Sequence, residues 1–185
     1  LLKKDISKEK MSALEEEFSS FQSNVANALL DYIEDKDDKE IIHRLEEIRH
    51  FFSKISTRWN DNDIYGHMNN VIYYELFDTA VNKWLIKNDL IDIKNGKNIG
   101  LIVQSGCNYY SSFQYPEDID AGIRVTKIGT SSVRYEVGLF HEKDVVSSAD
   151  GFFVHVYVDR KTNKPIPLNY DFKKLLDTIF IDIGI

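Results

Sequence analysis

Apolar residues are spaced in two different ways along this 185-residue chain. Over residues 8–33, Met11, Leu14, Phe18, Phe21, Val25, Ala28 and Tyr32 recur in steps of three and four, the spacing of one helical face. A polar stretch over 34–38 ends that pattern. Asp37 followed by Glu40 then has the form of a capping box for a second helix, with Ile41, Leu45, Ile48 and Phe52 on one stripe. Two short amphipathic helices cannot bury their stripes alone. Residues 1–50 are therefore expected to form a helical hairpin extension on a main domain spanning 51–185.

From Asn69 onward Ile72, Leu76, Phe77, Ala80, Val81, Trp84 and Leu85 share a broad helical face, with no Pro or Gly before Gly96. A long half-buried helix is predicted, capped by Asn69 or Asn70. The pattern before it, over 51–59, is extended. After a loop at 95–98 it becomes strand-like over 100–112, 122–128, 132–140 and 152–158, and Val133, Tyr135, Val137 and Leu139 alternate on one face. Turns fall at 115–118, 129–130 and 142–144. Pro165 and Pro167 exclude 164–167 from a sheet ladder, and a short helix is expected near 170–180. Strand, long helix and four strands on short turns make an α+β domain with an antiparallel sheet. One helix leaves a sheet face or edge underburied, which argues for a homo-oligomer.

Charge narrows the list of partners. Of the net −7, −5 lies in residues 1–50 and only −2 in the remainder, and no basic stripe exists for a phosphate backbone, so nucleic acid is not an expected partner. No apolar run has the length of a membrane span. Cys107 is the single cysteine, so no internal disulfide can form and a reducing compartment is expected. The cytoplasm fits; because the chain opens on Leu1, a removed targeting segment would allow an organellar lumen.

The densest chemistry lies between the first strand and the long helix, in Arg58-Trp59-Asn60-Asp61-Asn62-Asp63-Ile64-Tyr65-Gly66-His67-Met68-Asn69-Asn70. Polar side chains and free helix N–H groups can converge there. Asp63 can activate water or attack a carbonyl carbon, or it can simply cap the turn. Asp61 is read as a turn residue. Gly66 suits a positive-φ turn and a close approach of substrate to backbone. His67 can bond Asp63, orient water or brace the loop, and Asn69 and Asn70 can donate to a substrate carbonyl or cap the helix. The spacing of Asp61, Asp63 and His67 matches no zinc pattern, so no metal is expected. Cys107 is read as a buried structural thiol and His155 as a satisfied sheet residue. Tyr109, Tyr110, Phe113 and Tyr115 are read as core or dimer packing, with part of the cluster available to line a pocket.

The run Trp59-Asn-Asp61-Asn-Asp63-Ile-Tyr-Gly66-His67-Met-Asn69-Asn70-Val-Ile-Tyr73 resembles the signature of hotdog-fold thioesterases of the 4-hydroxybenzoyl-CoA thioesterase superfamily. The similarity continues through Arg124-Val125, Ile128-Gly129-Thr130-Ser131-Ser132-Val133, Val156-Tyr157-Val158-Asp159-Arg160 and Pro165-Ile166-Pro167. It implies a hotdog fold, an antiparallel sheet wrapped around one long central helix, and a homodimer or homotetramer with active sites at protomer interfaces. It also implies hydrolysis of an acyl-CoA thioester to a carboxylic acid and free CoA, with no cofactor beyond the coenzyme A of the substrate.

Within that resemblance Asp63, His67 and Asn70 are the catalytic candidates, the Asn70 N–H polarising the thioester carbonyl, and Gly66 and Asn69 meet the substrate. Arg124, Lys127, Arg134, Arg160 and Lys161 are candidates for CoA phosphates, most of them expected to be solvated surface charges. A plant acyl-ACP branch has an Asp-x-Asn-x-His arrangement. Asp63 and His67 match it, but Tyr65 replaces its asparagine. An acyl-ACP thioesterase is thus one alternative; an enoyl-CoA hydratase and a non-catalytic acyl-thioester binding module docked through the N-terminal helices are the others.

Overall fold

The computed structural model describes residues 52–142, 144 and 146–182, so the expected N-terminal hairpin lies outside the described residues. Strands β1 (Phe52–Ser56), β2 (Asn98–Tyr109), β3 (Asp118–Ile128), β4 (Ser132–His141) and β5 (Ala149–Asp159) form one sheet in the order β1-β3-β4-β5-β2. Helix α1 covers Asn70–Lys87, and α2 covers Tyr170–Asp177. β1 and β3 run antiparallel, with Phe52 opposite Gly122 and Ser56 opposite Asp118. The α+β class matches the expectation. So does the alternation along β4, where Val133, Tyr135, Val137 and Leu139 are all buried.

The chain divides into two compact groups. One comprises the described residues up to Asn69 with Tyr109–Gly122 and Gly138–Ala149; the other comprises Asn70–Asn108, Ile123–Val137 and the chain from Asp150 on. In the first group Ile119, Phe113, Leu139 and Phe140 are fully buried, and Phe52 meets Phe140 edge-on at 6.2 Å.

In the second group α1 buries Tyr73, Leu76, Phe77, Ala80, Val81, Trp84 and Leu85. The predicted stripe differs only in that Tyr73 replaces the half-buried Ile72. Side chains the size of Leu76, Phe77, Val81 and Leu85 contribute roughly 1.5–3 kcal/mol each on full burial, so this face anchors the helix. Its C-terminus turns through Asp89 at φ 54°, closed by the Leu90 N–H on the Leu85 carbonyl at 2.9 Å. Asn169 caps α2 by accepting the Phe172 N–H at 2.8 Å, and Phe172 packs edge-on to Tyr157 at 4.8 Å. The chain after α2 lies parallel to β3, with the Val125 N–H on the Ile179 carbonyl.

Two expectations fail in this group. Cys107 is only half-buried. His155 is 5% exposed, yet among the described residues its Nε2 has no hydrogen-bond partner, so it is not a satisfied sheet residue. Its ring lies among aromatic rings, 5.2 Å from Tyr135 and 6.1 Å from Phe153, while the Tyr135 and Tyr157 hydroxyls spend their hydrogen bond on each other at 2.8 Å.

Burial pushes the His155 imidazole down from 6.5 to about 4. A histidine held neutral in the fold takes up a proton on unfolding between these values. Its contribution to stability is therefore complete above pH 6.5 and is lost as the pH falls toward 4. His155→Phe is expected to flatten this acid limb, which urea unfolding at about pH 7, 5.5 and 4.5 will measure.

β2 lies at one edge of the sheet and is exposed along most of its length, with Leu101, Ile102 and Val103 at 41, 49 and 60%. No helix among the described residues is long and apolar enough to cross a membrane.

Candidate active site

The turn leaving β1 is built on two aspartates with opposite roles. Asp61 is 2% exposed and ends a short 3₁₀ helix, Trp59–Asp61. Its carboxylate accepts the Arg58 N–H at 2.7 Å and the Arg58 guanidinium at 2.9 Å, while its carbonyl accepts the Asn69 N–H at 2.8 Å. Asp61 is thus a structural turn residue, as expected, although the Arg58 partnership was not foreseen.

Asp63 is half-buried. Its Oδ1 accepts the N–H groups of Tyr65 at 2.8 Å and His67 at 3.2 Å, whereas among the described residues Oδ2 has no hydrogen-bond partner. The Asp63 N–H bonds the His67 carbonyl at 2.7 Å, closing the loop between the bridged residues Asn62 and Met68. Gly66 sits at φ 82°, the positive-φ turn expected of it, and nothing lies within 4 Å of the place a Cβ would take.

His67 reaches Asp63 through its main chain only. Its exposed imidazole makes no hydrogen bond among the described residues. Asn69 and Asn70 are exposed, and α1 begins at Asn70, whose N–H has no acceptor among the described residues. That is an orphan donor of the first helical turn, at the positive end of the helix dipole.

A second segment, 110–117, holds this turn at three points. The Met68 N–H bonds the Phe113 carbonyl at 2.8 Å, the Tyr115 N–H bonds Asn62 Oδ1 at 3.1 Å, and the Thr57 hydroxyl bonds the Glu117 carbonyl at 2.6 Å. Tyr115 also meets the edge of Trp59 at 5.8 Å. The aromatic cluster therefore splits: Phe113 is core, whereas Tyr109, Tyr110 and Tyr115 are exposed.

Three of the five cations considered for phosphates are occupied. Arg124 and Arg134 both bond Glu136, Arg124 at 2.8 Å and Arg134 at 3.0 Å, and Arg134 lies 3.6 Å over the Phe152 ring. Burial alone would raise the Glu136 carboxyl; the hydrogen bonds from these two arginines outweigh it and lower it. Arg160 bonds the Ile93 and Lys94 carbonyls at 3.0 and 3.3 Å, fixing the loop after α1. Lys127 and Lys161 are exposed.

Two cavities lie within the second group. One of about 380 Å³ is lined by Leu90, Tyr157, Leu168 and Phe172, and one of about 200 Å³ by Leu85, Ile99, Gly100 and His155. Asp63, His67 and Asn70 line neither.

Sequence comparison matches residues 57–176 to the model of the thioesterase-like superfamily. The solved PA5185 protein of Pseudomonas aeruginosa is 44% identical, aligning over 72% of this chain and 94% of its own with a TM-score of 0.68. The PA2801 protein of the same organism, a candidate thioesterase, is 25% identical over 67 and 95% of the two chains, TM-score 0.63. A Thermus thermophilus thioesterase solved with coenzyme A and zinc shares the fold at 20% identity, 70 and 94% coverage and a TM-score of 0.58. The uncharacterized protein YsmA of Bacillus subtilis strain 168 is 25% identical over 83 residues, 45% of this chain and only 56% of that relative.

Proposed function

We propose that this chain, which belongs to the thioesterase-like superfamily, hydrolyses an acyl-CoA thioester to a carboxylic acid and free CoA, with Asp63 as base or nucleophile. The observation that carries this reading is the division of labour within one carboxylate. Oδ1 is tied to the turn by two backbone N–H groups, and Oδ2 is left without a partner among the described residues. A capping aspartate needs only the first oxygen. The second can take a proton from water as the water oxygen bonds the thioester carbon, or can attack that carbon itself to give a mixed anhydride that water then opens.

The carbonyl π electrons move onto oxygen, where the Asn70 N–H and the α1 dipole meet the developing charge. Collapse of the tetrahedral species breaks the C–S bond, and the exposed His67 imidazole supplies the proton that the departing sulfur takes up. Gly66 and Asn69 face the approaching thioester. No metal or redox group enters, and coenzyme A is present only as part of the substrate. The coenzyme A bound by the Thermus thermophilus thioesterase supports that choice of carrier.

The test is thiol release from a panel of acyl-CoA thioesters, run beside the same acyl groups on carrier protein. Turnover of the CoA panel is the expected result. Turnover of carrier-linked substrates alone would move the assignment to acyl-ACP, and tight binding without release would make the chain a binding module.

Within the same reading the sheet wraps α1 in a hotdog arrangement, and protomers associate through β2. Among the described residues this 12-residue strand is the edge of the sheet, and the three consecutive exposed apolar residues Leu101, Ile102 and Val103 give a second copy a surface to pair with. Val103→Arg is expected to shift the chain from dimer or tetramer to monomer in sedimentation velocity.

A further inference from the structure

We infer that Glu117 is a positioning residue for the turn that carries Asp63, acting through its pair with His141; this rests on the reading of Asp63 as the reacting carboxylate. The turn is held at its start, middle and end by the segment 110–117, through Thr57, Asn62 and Met68. That segment has to be held in turn, and its fixed end is the Glu117 side chain. Oε1 accepts the N–H of Gln114, while Oε2 pairs with Nδ1 of His141 at 2.7 Å. The imidazole also lies 4.5 Å from the ring of fully buried Phe113, whose carbonyl accepts the Met68 N–H. His141 is the last residue of β4, so one carboxylate connects a sheet strand to the loop bracing the turn.

The main chain of the same residue completes the connection. The Glu117 carbonyl accepts both the hydroxyl and the N–H of Thr57, a buried residue just beyond the end of β1, and the Glu117 N–H closes back on the Gln114 carbonyl at 3.2 Å. Glu117 is thus bonded on one side to β4 and on the other to the entrance of the turn. A carboxylate serves here because it accepts at two oxygens at once. An amide in its place can accept at one oxygen only: with that oxygen on the Gln114 N–H, its NH2 group faces the Nδ1–H of His141, and the contact survives only if the imidazole moves its proton to Nε2, so Glu117→Gln weakens the brace while keeping size and shape. Displacing a reacting group by about 1 Å can cost on the order of 10²-fold in rate.

Glu117→Gln is expected to lower kcat by roughly ten- to a hundredfold with KM within about threefold, because the attacking group is mispositioned while substrate contacts persist. His141→Phe, which keeps a ring against Phe113 but removes the donor, should reproduce the loss. His141→Asn, whose amide nitrogen falls near the position of Nδ1, should restore most of kcat. In an Asp63→Asn background Glu117→Gln should add nothing, since the group it positions is already gone.

Hydrogen exchange supplies the readout that does not depend on activity: the Tyr65, His67 and Met68 amides should exchange at least about tenfold faster in Glu117→Gln, while α1 is unchanged. Wild-type kcat in Glu117→Gln, or unaltered exchange at those amides, overturns the inference. If Asp63→Asn alone leaves the rate intact, the assignment of Asp63 fails instead, and faster exchange in Glu117→Gln would still establish the brace. Should Glu117→Gln fail to fold, the contrast between the Phe and Asn variants of His141 decides the question.

Discussion

Asp63→Asn is expected to lower thioester hydrolysis by roughly 10²–10⁴-fold, the usual worth of a positioned base, while leaving the fold intact. The substitution separates the two jobs of this side chain. An asparagine carbonyl oxygen still accepts the Tyr65 and His67 N–H groups that Oδ1 accepts now, so the turn keeps its internal bonds. The other atom becomes an amide nitrogen, which can neither take a proton from water nor attack a carbonyl carbon. A melting temperature close to wild type together with collapsed kcat is therefore the predicted signature. Asp61 supplies the contrast. Its carboxylate is buried and accepts the Arg58 N–H and guanidinium, so losing it should cost stability, roughly 1.5–3 kcal/mol, the usual worth of a hydrogen bond to a charged group. Thiol release and thermal melting on the two variants give opposite patterns if the roles are as described. Equal hydrolysis rates for wild type and Asp63→Asn would remove Asp63 from the chemistry.

What could be read from the sequence was whatever repeats locally. The buried face of α1 and the alternation of β4 follow from side-chain periods of about 3.6 and 2, which a short window contains in full. Gly66 and the two aspartates were legible because turn chemistry is also local. The partners were not. Glu117 lies 60 residues from Thr57, and Arg160 lies 66 and 67 residues from the carbonyls it bonds. No period connects such pairs. His155 illustrates a different gap: its position in an alternating strand shows that it is buried, but only the surrounding rings show that Nε2 has nothing to bond among the described residues. The exposure of β2 was equally hidden, since an apolar strand reads the same whether it lies inside a sheet or at its edge.

Gly151→Ala should be among the most destabilising single-methyl additions in the second group, although it changes no polar contact. Gly151 lies in β5 beneath α1. A Cβ built there would stand 2.3 and 2.7 Å from two ring carbons of Phe77 and 2.8 Å from the Gly106 carbonyl oxygen. The first two conflicts involve a ring that is fully buried and bounded by Tyr74 at 6.1 Å and Phe153 at 6.4 Å, so it has no open side to swing into. The third involves the backbone of β2, which no rotamer change can move. Overpacking of a dense core costs typically about 1–3 kcal/mol and more where backbone must shift. Removing ring atoms should recover only part of that. In a Phe77→Leu background the penalty of Gly151→Ala should shrink by roughly 0.5–3 kcal/mol, the usual range of coupling between touching residues, yet remain above zero because the Gly106 carbonyl is still in the way. Urea unfolding followed by tryptophan fluorescence, with Trp84 buried on the same helix, measures all four corners of the cycle. A Gly151→Ala chain as stable as wild type would mean that β2 and β5 separate readily at this point and that α1 is not held down here by close packing.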